Sequence, residues 1–452
     1  MEDGTDLQPV KPRPDAVLAG ARAGGPTSDA IPLAAEDLAI LDIESPTIAG
    51  HTCKVLRIGP DAPDLAMLRR RIAERIHLTP ALTRRLGTTR DGQPAWVPDP
   101  GFDVDEHVVE HAHDHPVGSQ DLRRCVARLF EQRLDRQRAL WRMDVIELEH
   151  GHRAIVWRIH HALADGTASR RYARALLWDE SPEQQLTEAQ AAVQHAADER
   201  RRRGHLAGYV RREFKRSRTR SPFDGTIGRR REVGFATVPL PAVHDAAKAL
   251  CGATLNDAVL SIVAGCLRHW VSEHHGQLGS IRVKVPVSLH HEGDGVANHD
   301  SQFSLGLPLG EADPVTRLTI IHERTRTRKR AQDAEQREVL LHELGSVSPR
   351  LEHFATQLER SPRRFALNVS NVPGPREHVS VLSAPVYRLH SLAEISHHHA
   401  LRVSVMSLAD LLGFGFCADA ELIPDLQTMA DQVEPETQAL LDAPSPAERA
   451  RS

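Results

Sequence analysis

The segment HHALADG, His160 to Gly166, sets two adjacent imidazoles beside a small apolar spacer and an Asp-Gly pair. Imidazole, with an ordinary pKa near 6.5, can take a proton from a hydroxyl at neutral pH and return it to a leaving group. Neighbouring side chains on an extended segment point to opposite faces, so only one of the pair can be the base and the other, His160, packs inward. No G-x-S-x-G nucleophile elbow accompanies the histidines, so covalent hydrolase chemistry is not supported. A zinc site would need third and fourth ligands at recognisable spacing; none stands close by, and no metal is expected. HHEGDG, His290 to Gly295, nearly repeats the motif. Its spacer is one residue shorter and flexible, which marks it as a surface loop.

The elements around the motif explain how an imidazole could be held still. WRMDVIEL and RAIVWRIHH read as two strands joined by the turn-like EHGH, and TASRRYARALLWDE after the motif is helical, so HHALADG sits on a strand-to-helix connection. Upstream, DLAMLRRRIAERI and DLRRCVARLFEQRL carry apolar residues at helical spacing, and FDVDEHVVEHA between them alternates like a strand. Downstream, VGFATVPL, SIRVKVPVSL, FALNVSNVPG, PVYRLHSL, LRVSVMSL and LGFGFCAD read as strands, with helices over PAVHDAAKALCGATLNDAVLSIVAGCLRHWVSEH, about Asp313 to Glu343, and PDLQTMADQVEPETQALLD.

Length and composition bound the rest. A chain of 452 residues suggests two domains, and 40% apolar residues with 4% aromatic suffice for cores of Leu, Val, Ile and Ala. A formal net charge of -4 gives no reason to expect nucleic acid. Five cysteines without C-x-x-C spacing fit a reducing, cytoplasmic setting. The expected division is a disordered arm at 1–31, a first αβ half at 32–180, a polar then basic linker at 181–233, a second half at 234–443 and a tail at 444–452. Between Arg200 and Arg231 there are 13 Lys or Arg against Glu213 and Asp224, with Glu232 at the boundary. That run reads as a solvated connection, or as a patch for anionic lipid headgroups or ligand phosphates, which would make membrane contact peripheral.

HHALADG matches the H-H-x-x-x-D-G motif of the CoA-dependent acyltransferase superfamily. Its flanks, LDRQRALWRMDVIEL, SPFDGTIGRRR, GATLNDAVLSIVAGCLR, VPVSL, NVSNVPGP and ELIPDL in that order, resemble the bacterial wax ester synthase and diacylglycerol O-acyltransferase family from about Leu33 to Asp442. The resemblance implies two αβ halves like those of chloramphenicol acetyltransferase, with mixed sheets and a tunnel at their interface. It implies transfer of a long-chain acyl group from acyl-CoA, as co-substrate, to diacylglycerol or a fatty alcohol, without a bound cofactor or an acyl-enzyme. A lipid-droplet or membrane surface becomes a candidate partner.

Carried over by position, His161 is the general base, Asp165 orients the loop by pairing with a buried cation for which Arg282 is the candidate, and Gly166 lets the helix start pack closely. Asn256, Asp257, Trp141, Asn371, Pro373 and Gly374 are expected along the tunnel. The chain departs from the family at Ala139, at His290 where an arginine is expected, at Ser407-Leu408, and in SLAEISHHHA, whose three histidines read as a solvated turn. These departures leave the base in place and bear on the choice of acceptor.

Overall fold

The computed structural model describes residues 29–179, 221–276, 279–288, 300–330 and 365–444. The arm to residue 28, the basic run 200–220, HHEGDG and the tail from 445 lie outside the described residues.

A small antiparallel sheet holds β1 (Ile31–Pro32), β3 (Arg84–Thr88) and β4 (Pro94–Pro98). The first large sheet has the order β12-β13-β2-β7-β6-β5. Its strands are β2 (His51–Ile58), β5 (Val108–Glu110), β6 (Trp141–Glu147), β7 (Arg153–His160), β12 (Ser380–Val381) and β13 (Ala384–Ala393). The second, ordered β10-β9-β11-β14-β15-β8, is built from β8 (Arg231–Pro239), β9 (Ile281–Ser288), β10 (Asp300–Leu307), β11 (Leu367–Val372), β14 (Leu401–Leu408) and β15 (Leu411–Asp419). Both sheets are mixed: β5 runs parallel to β6, and β11 runs parallel to β9 and β14.

The alternation along β2 and β7 builds two cores. Leu56, Ile155, Trp157 and Ile159 pack on one face with the helices Leu65–Arg75 and Gly166–Leu176. Cys53, Val55 and Val156 pack on the other, in a cluster continuous with the second half. At its centre lies the helix Leu255–His274, buried from Asp257 to Leu267 without interruption. Burial all round is what its apolar run AVLSIVAGCL demands, each large apolar side chain contributing about 1.5–3 kcal/mol. Gly252 in the left-handed region ends the preceding helix Leu240–Cys251 and makes the Gly-Ala-Thr break.

Four places differ from the sequence expectation. FDVDEH starts as a short helix, Val104–His107, because the Asp103 carboxylate caps it by accepting from Asp105 N, and the strand begins only at Val108. Residues 380–393, grouped by sequence with the second half, complete the sheet of the first, with Lys54 registered against Ser391. The stretch 221–233, expected as the end of a solvated linker, is packed: Phe223 and Ile227 join the core, and Arg231 is buried at the start of β8. The closing helix is two, Leu426–Asp431 and Val433–Leu441, meeting at Gln432.

The crossing of β13 over the second sheet explains the glycines of LGFGF. A Cβ at Gly413 would overlap the Leu389 carbonyl, and one at Gly415 the Ser391 carbonyl. Two bare positions on one face of β15 therefore let a strand of the other sheet lie directly on its backbone.

Candidate active site

β7 delivers the histidine pair. His160, its last residue, is registered against His51, and its N–H donates to Leu140 O at 2.9 Å. The turn that follows folds back on it: Leu163 N and Ala164 N donate to His160 O, and Ala162 N donates to the ring Nδ1 at 3.2 Å. A ring nitrogen that accepts carries no proton, so neutral His160 holds its hydrogen on Nε2. That atom faces the buried Glu44 carboxylate, 3.9 Å away. Burial foremost, then the charges of Arg136, His161 and Arg133, push the His160 pKa down to about 3. His160 is a neutral, packed residue.

His161 is only half-buried. Its N–H donates to Gly50 O at 3.0 Å, and its Nδ1 has no hydrogen-bond partner among the described residues. Burial and the charges of Arg402 and Lys54 hold its pKa at about 4, so its lone pair is free at neutral pH. The pair thus splits as adjacent residues on a strand end should, His160 fully buried and His161 partly accessible.

Asp165 closes the motif as the N-cap of Gly166–Leu176, its Oδ1 accepting from Ala168 N at 2.6 Å. A cap of this kind is worth about 1 kcal/mol. Lys54 is electrostatically coupled to Asp165. Arg282, the cation expected from sequence, lies on β9 opposite Gly306, and its carbonyl accepts from Ala366 N. At Gly166 a Cβ would come within 3.3 Å of Val372, so the helix start rests closely on the end of β11.

The turn after β11 brings the halves together. Arg170 on the motif helix donates to Pro373 O at 3.2 Å. Gly374 N donates to Ser407 Oγ at 2.9 Å, and a Cβ at Gly374 would overlap the Ser407 carbonyl. Asn371 Nδ2 reaches Asn256 Oδ1 at 3.4 Å, so the two flagged asparagines meet. Asp257 has another task. It forms a capping box with Thr254 and accepts from His322 Nδ1 at 2.9 Å, fixing the start of the central helix.

Between these parts lies a small pocket lined by Lys54 and Trp157 from the first sheet, Ser169 and Ala173 from the motif helix, Leu389 on β13 and Met406 on β14. Its wall is mainly apolar, as a lipid chain requires. Lys54 Nζ donates to Ser391 Oγ at 2.7 Å, and burial draws its pKa down to about 8.

Behind the histidines run two charge clusters, centred on the buried carboxylates of Glu44 and Glu394. Glu44 accepts from Nε of both Arg133 and Arg136, at 2.7 Å each. Glu394 accepts from Arg231 Nε at 3.0 Å and from Ala49 N at 3.1 Å, while Arg231 also donates to Thr47 O. The loop Thr47 to Gly50, which holds His161, is thereby anchored to β8 and β13.

Sequence reasoning did not single out Lys54, Arg402, Gly50, Glu44, Glu394 or Arg231 as site residues. A signal existed for Lys54, a charge on the inward face of HTCKVLRI, and for Glu394, an acid after the apolar strand PVYRLHSLA. Trp141, expected along a tunnel, is instead sealed in the core, its Nε1 donating to Leu82 O and its ring stacked on His107 at 4.6 Å. Of the three histidines in the expected solvated turn, His397 and His398 are exposed, but His399 is buried and stacks on Phe365 at 4.0 Å.

Comparison with known proteins matches residues 33–210 to the wax ester synthase/diacylglycerol acyltransferase catalytic domain and residues 297–440 to the corresponding C-terminal domain. A Mycobacterium tuberculosis protein named as a probable diacylglycerol O-acyltransferase is 29% identical over 412 residues, covering 83% of this chain and 88% of its own. The wax ester synthase/diacylglycerol acyltransferase from Marinobacter aquaeolei VT8 superposes with a TM-score of 0.68 at 22% identity, over 90% of this chain and 98% of that one. A starter condensation domain of rhizomide synthetase shares the fold at a TM-score of 0.58 and 12% identity, over 93% of this chain and 97% of that one.

Proposed function

Because the chain belongs to the wax ester synthase/diacylglycerol acyltransferase family, we propose that it transfers a long-chain acyl group from acyl-CoA to the hydroxyl of diacylglycerol or a fatty alcohol, with His161 as general base. The observation that carries this reading is the half-buried His161 directly after β7, whose imidazole feels the charge of Lys54, a residue lining a mainly apolar pocket with walls from both sheets.

In the reaction, His161 takes the proton of the acceptor hydroxyl as its oxygen attacks the thioester carbonyl. The new C–O bond forms, the C–S bond breaks, and the imidazolium returns the proton to the CoA thiolate. No acyl group rests on the protein. Lys54 and Arg402 keep the imidazole in its basic form, and Asp165, as a cap, holds the turn that presents it.

Relatives named as diacylglycerol O-acyltransferases support diacylglycerol as the acceptor. Incubating one labelled acyl-CoA with diacylglycerol, fatty alcohols, other alcohols and amines tests the choice. Triacylglycerol or wax ester as the main product is expected; an amide or the ester of another alcohol would overturn it, and lipid binding without release of free CoA thiol would mark an inactive lipid-binding relative. Contact with a membrane or lipid inclusion through the basic run fits a lipid substrate. Loss of binding to anionic vesicles on neutralising Arg200 to Arg203 at low salt is its test, and unchanged binding would rule it out.

A further inference from the structure

On the far edge of the first sheet, β5 ends at Glu110 and the chain leaves through His111 and His113. The helix Ser119–Phe130 then returns beneath them and presents Cys125. One ligand atom from each of the three lies within 4.8 Å of the others. His113 Nε2 is 3.3 Å from Cys125 Sγ, and the two imidazoles meet edge-on with centroids 5.1 Å apart. Cys125 is buried and held by its core neighbours Leu122 and Val126, whereas His111 is half-buried and His113 exposed. The cluster is therefore rigid on the sulfur side and open to solvent on the other.

Two imidazoles and a thiol are a nitrogen-sulfur set suited to zinc. With Zn–N near 2.0–2.1 Å and Zn–S near 2.3 Å, tetrahedral ligand atoms stand about 3.5 Å apart. The His113 to Cys125 separation already meets that value, and rotation of the more open imidazoles closes the rest. Arg128 also donates to Cys125 Sγ at 3.7 Å.

We propose that His111, His113 and Cys125 bind one zinc-class divalent cation, with solvent in the fourth position. Both imidazoles bind through lone pairs, and the Cys125 thiol gives one proton to solvent as its sulfur joins the metal. No oxidation or reduction takes place. The ion would clip the 111–118 loop to the helix Ser119–Phe130, whose Phe130 ring packs edge-on against His51 at 4.7 Å. The three ligands share no residue with the acyl-transfer site, so the ion's role is support.

The test uses the full-length, tag-free protein, stripped with a chelator and titrated with Co²⁺. One equivalent is expected to produce a thiolate-to-cobalt charge-transfer band that Zn²⁺ displaces, together with a higher Tm. His113→Ala, at an exposed position, and Cys125→Ser should each weaken binding about tenfold or more and remove the band. Absence of a saturable band in the wild type would overturn the proposal. So would a band that survives unchanged in both variants, or in His113→Ala alone should Cys125→Ser fail to fold.

Discussion

The main-chain N–H of His161 donates to the carbonyl of Gly50 at 3.0 Å, tying the base to a loop 111 residues away in sequence. Gly50 also sits against the other histidine. Its φ is +72°, and a Cβ there would come within 2.7 Å of His160 Nε2. Gly50→Ala should therefore displace both rings. A fall in kcat larger than any change in KM is expected, with a stability loss of about 1 kcal/mol or more by denaturant titration.

The acid limb of activity should report the cations around the base. Burial, Arg402 and Lys54 depress the His161 pKa to about 4, so kcat/KM should stay level through neutral pH and fall only as pH approaches that value. Arg402→Gln removes a charge that disfavours the imidazolium, so the limb should move to higher pH. A limb that does not move would show that Arg402 leaves the base untouched.

Stability should also depend on pH, with a definite sign. His160 and His390, both buried, have folded pKa values of about 3 against an ordinary 6.5. Between those values the unfolded chain binds more protons than the folded one, so stability falls as pH drops below about 6.5. Tm measured at pH 7.5, 6 and 5 should decrease in that order.

The turn Asn371 to Pro375 should tolerate loss of a hydroxyl but not gain of a methyl. Ser407→Ala removes the acceptor of Gly374 N and should cost about 1 kcal/mol. Gly374→Ala drives a Cβ into the Ser407 carbonyl and should cost several times more. Equal Tm values for the two would contradict the packing described.

The strands flanking the motif, the strand-to-helix connection and the split between His160 and His161 were legible because each depends on local periodicity. Lys54 and Arg402 were not, since what gives them meaning is register across β2, β13 and β14, which no local pattern records. The same applies to β13, whose apolar alternation identifies a strand but not the sheet it joins. Trp141 misled for the opposite reason: its place in a motif suggested a tunnel wall, whereas an indole with a carbonyl partner and a stacking imidazole is satisfied within the core. Arg231 read as part of a basic run, and only the contact with Glu394 marks it as an internal anchor.

The central claim is that His161 moves the proton in acyl transfer. The most direct measurement is release of free CoA thiol by purified His161→Ala, with folding verified by circular dichroism and Tm. A fall of about 10²–10⁴-fold in kcat with KM for acyl-CoA little changed is the predicted result. A folded His161→Ala enzyme that releases CoA at the wild-type rate would contradict the account.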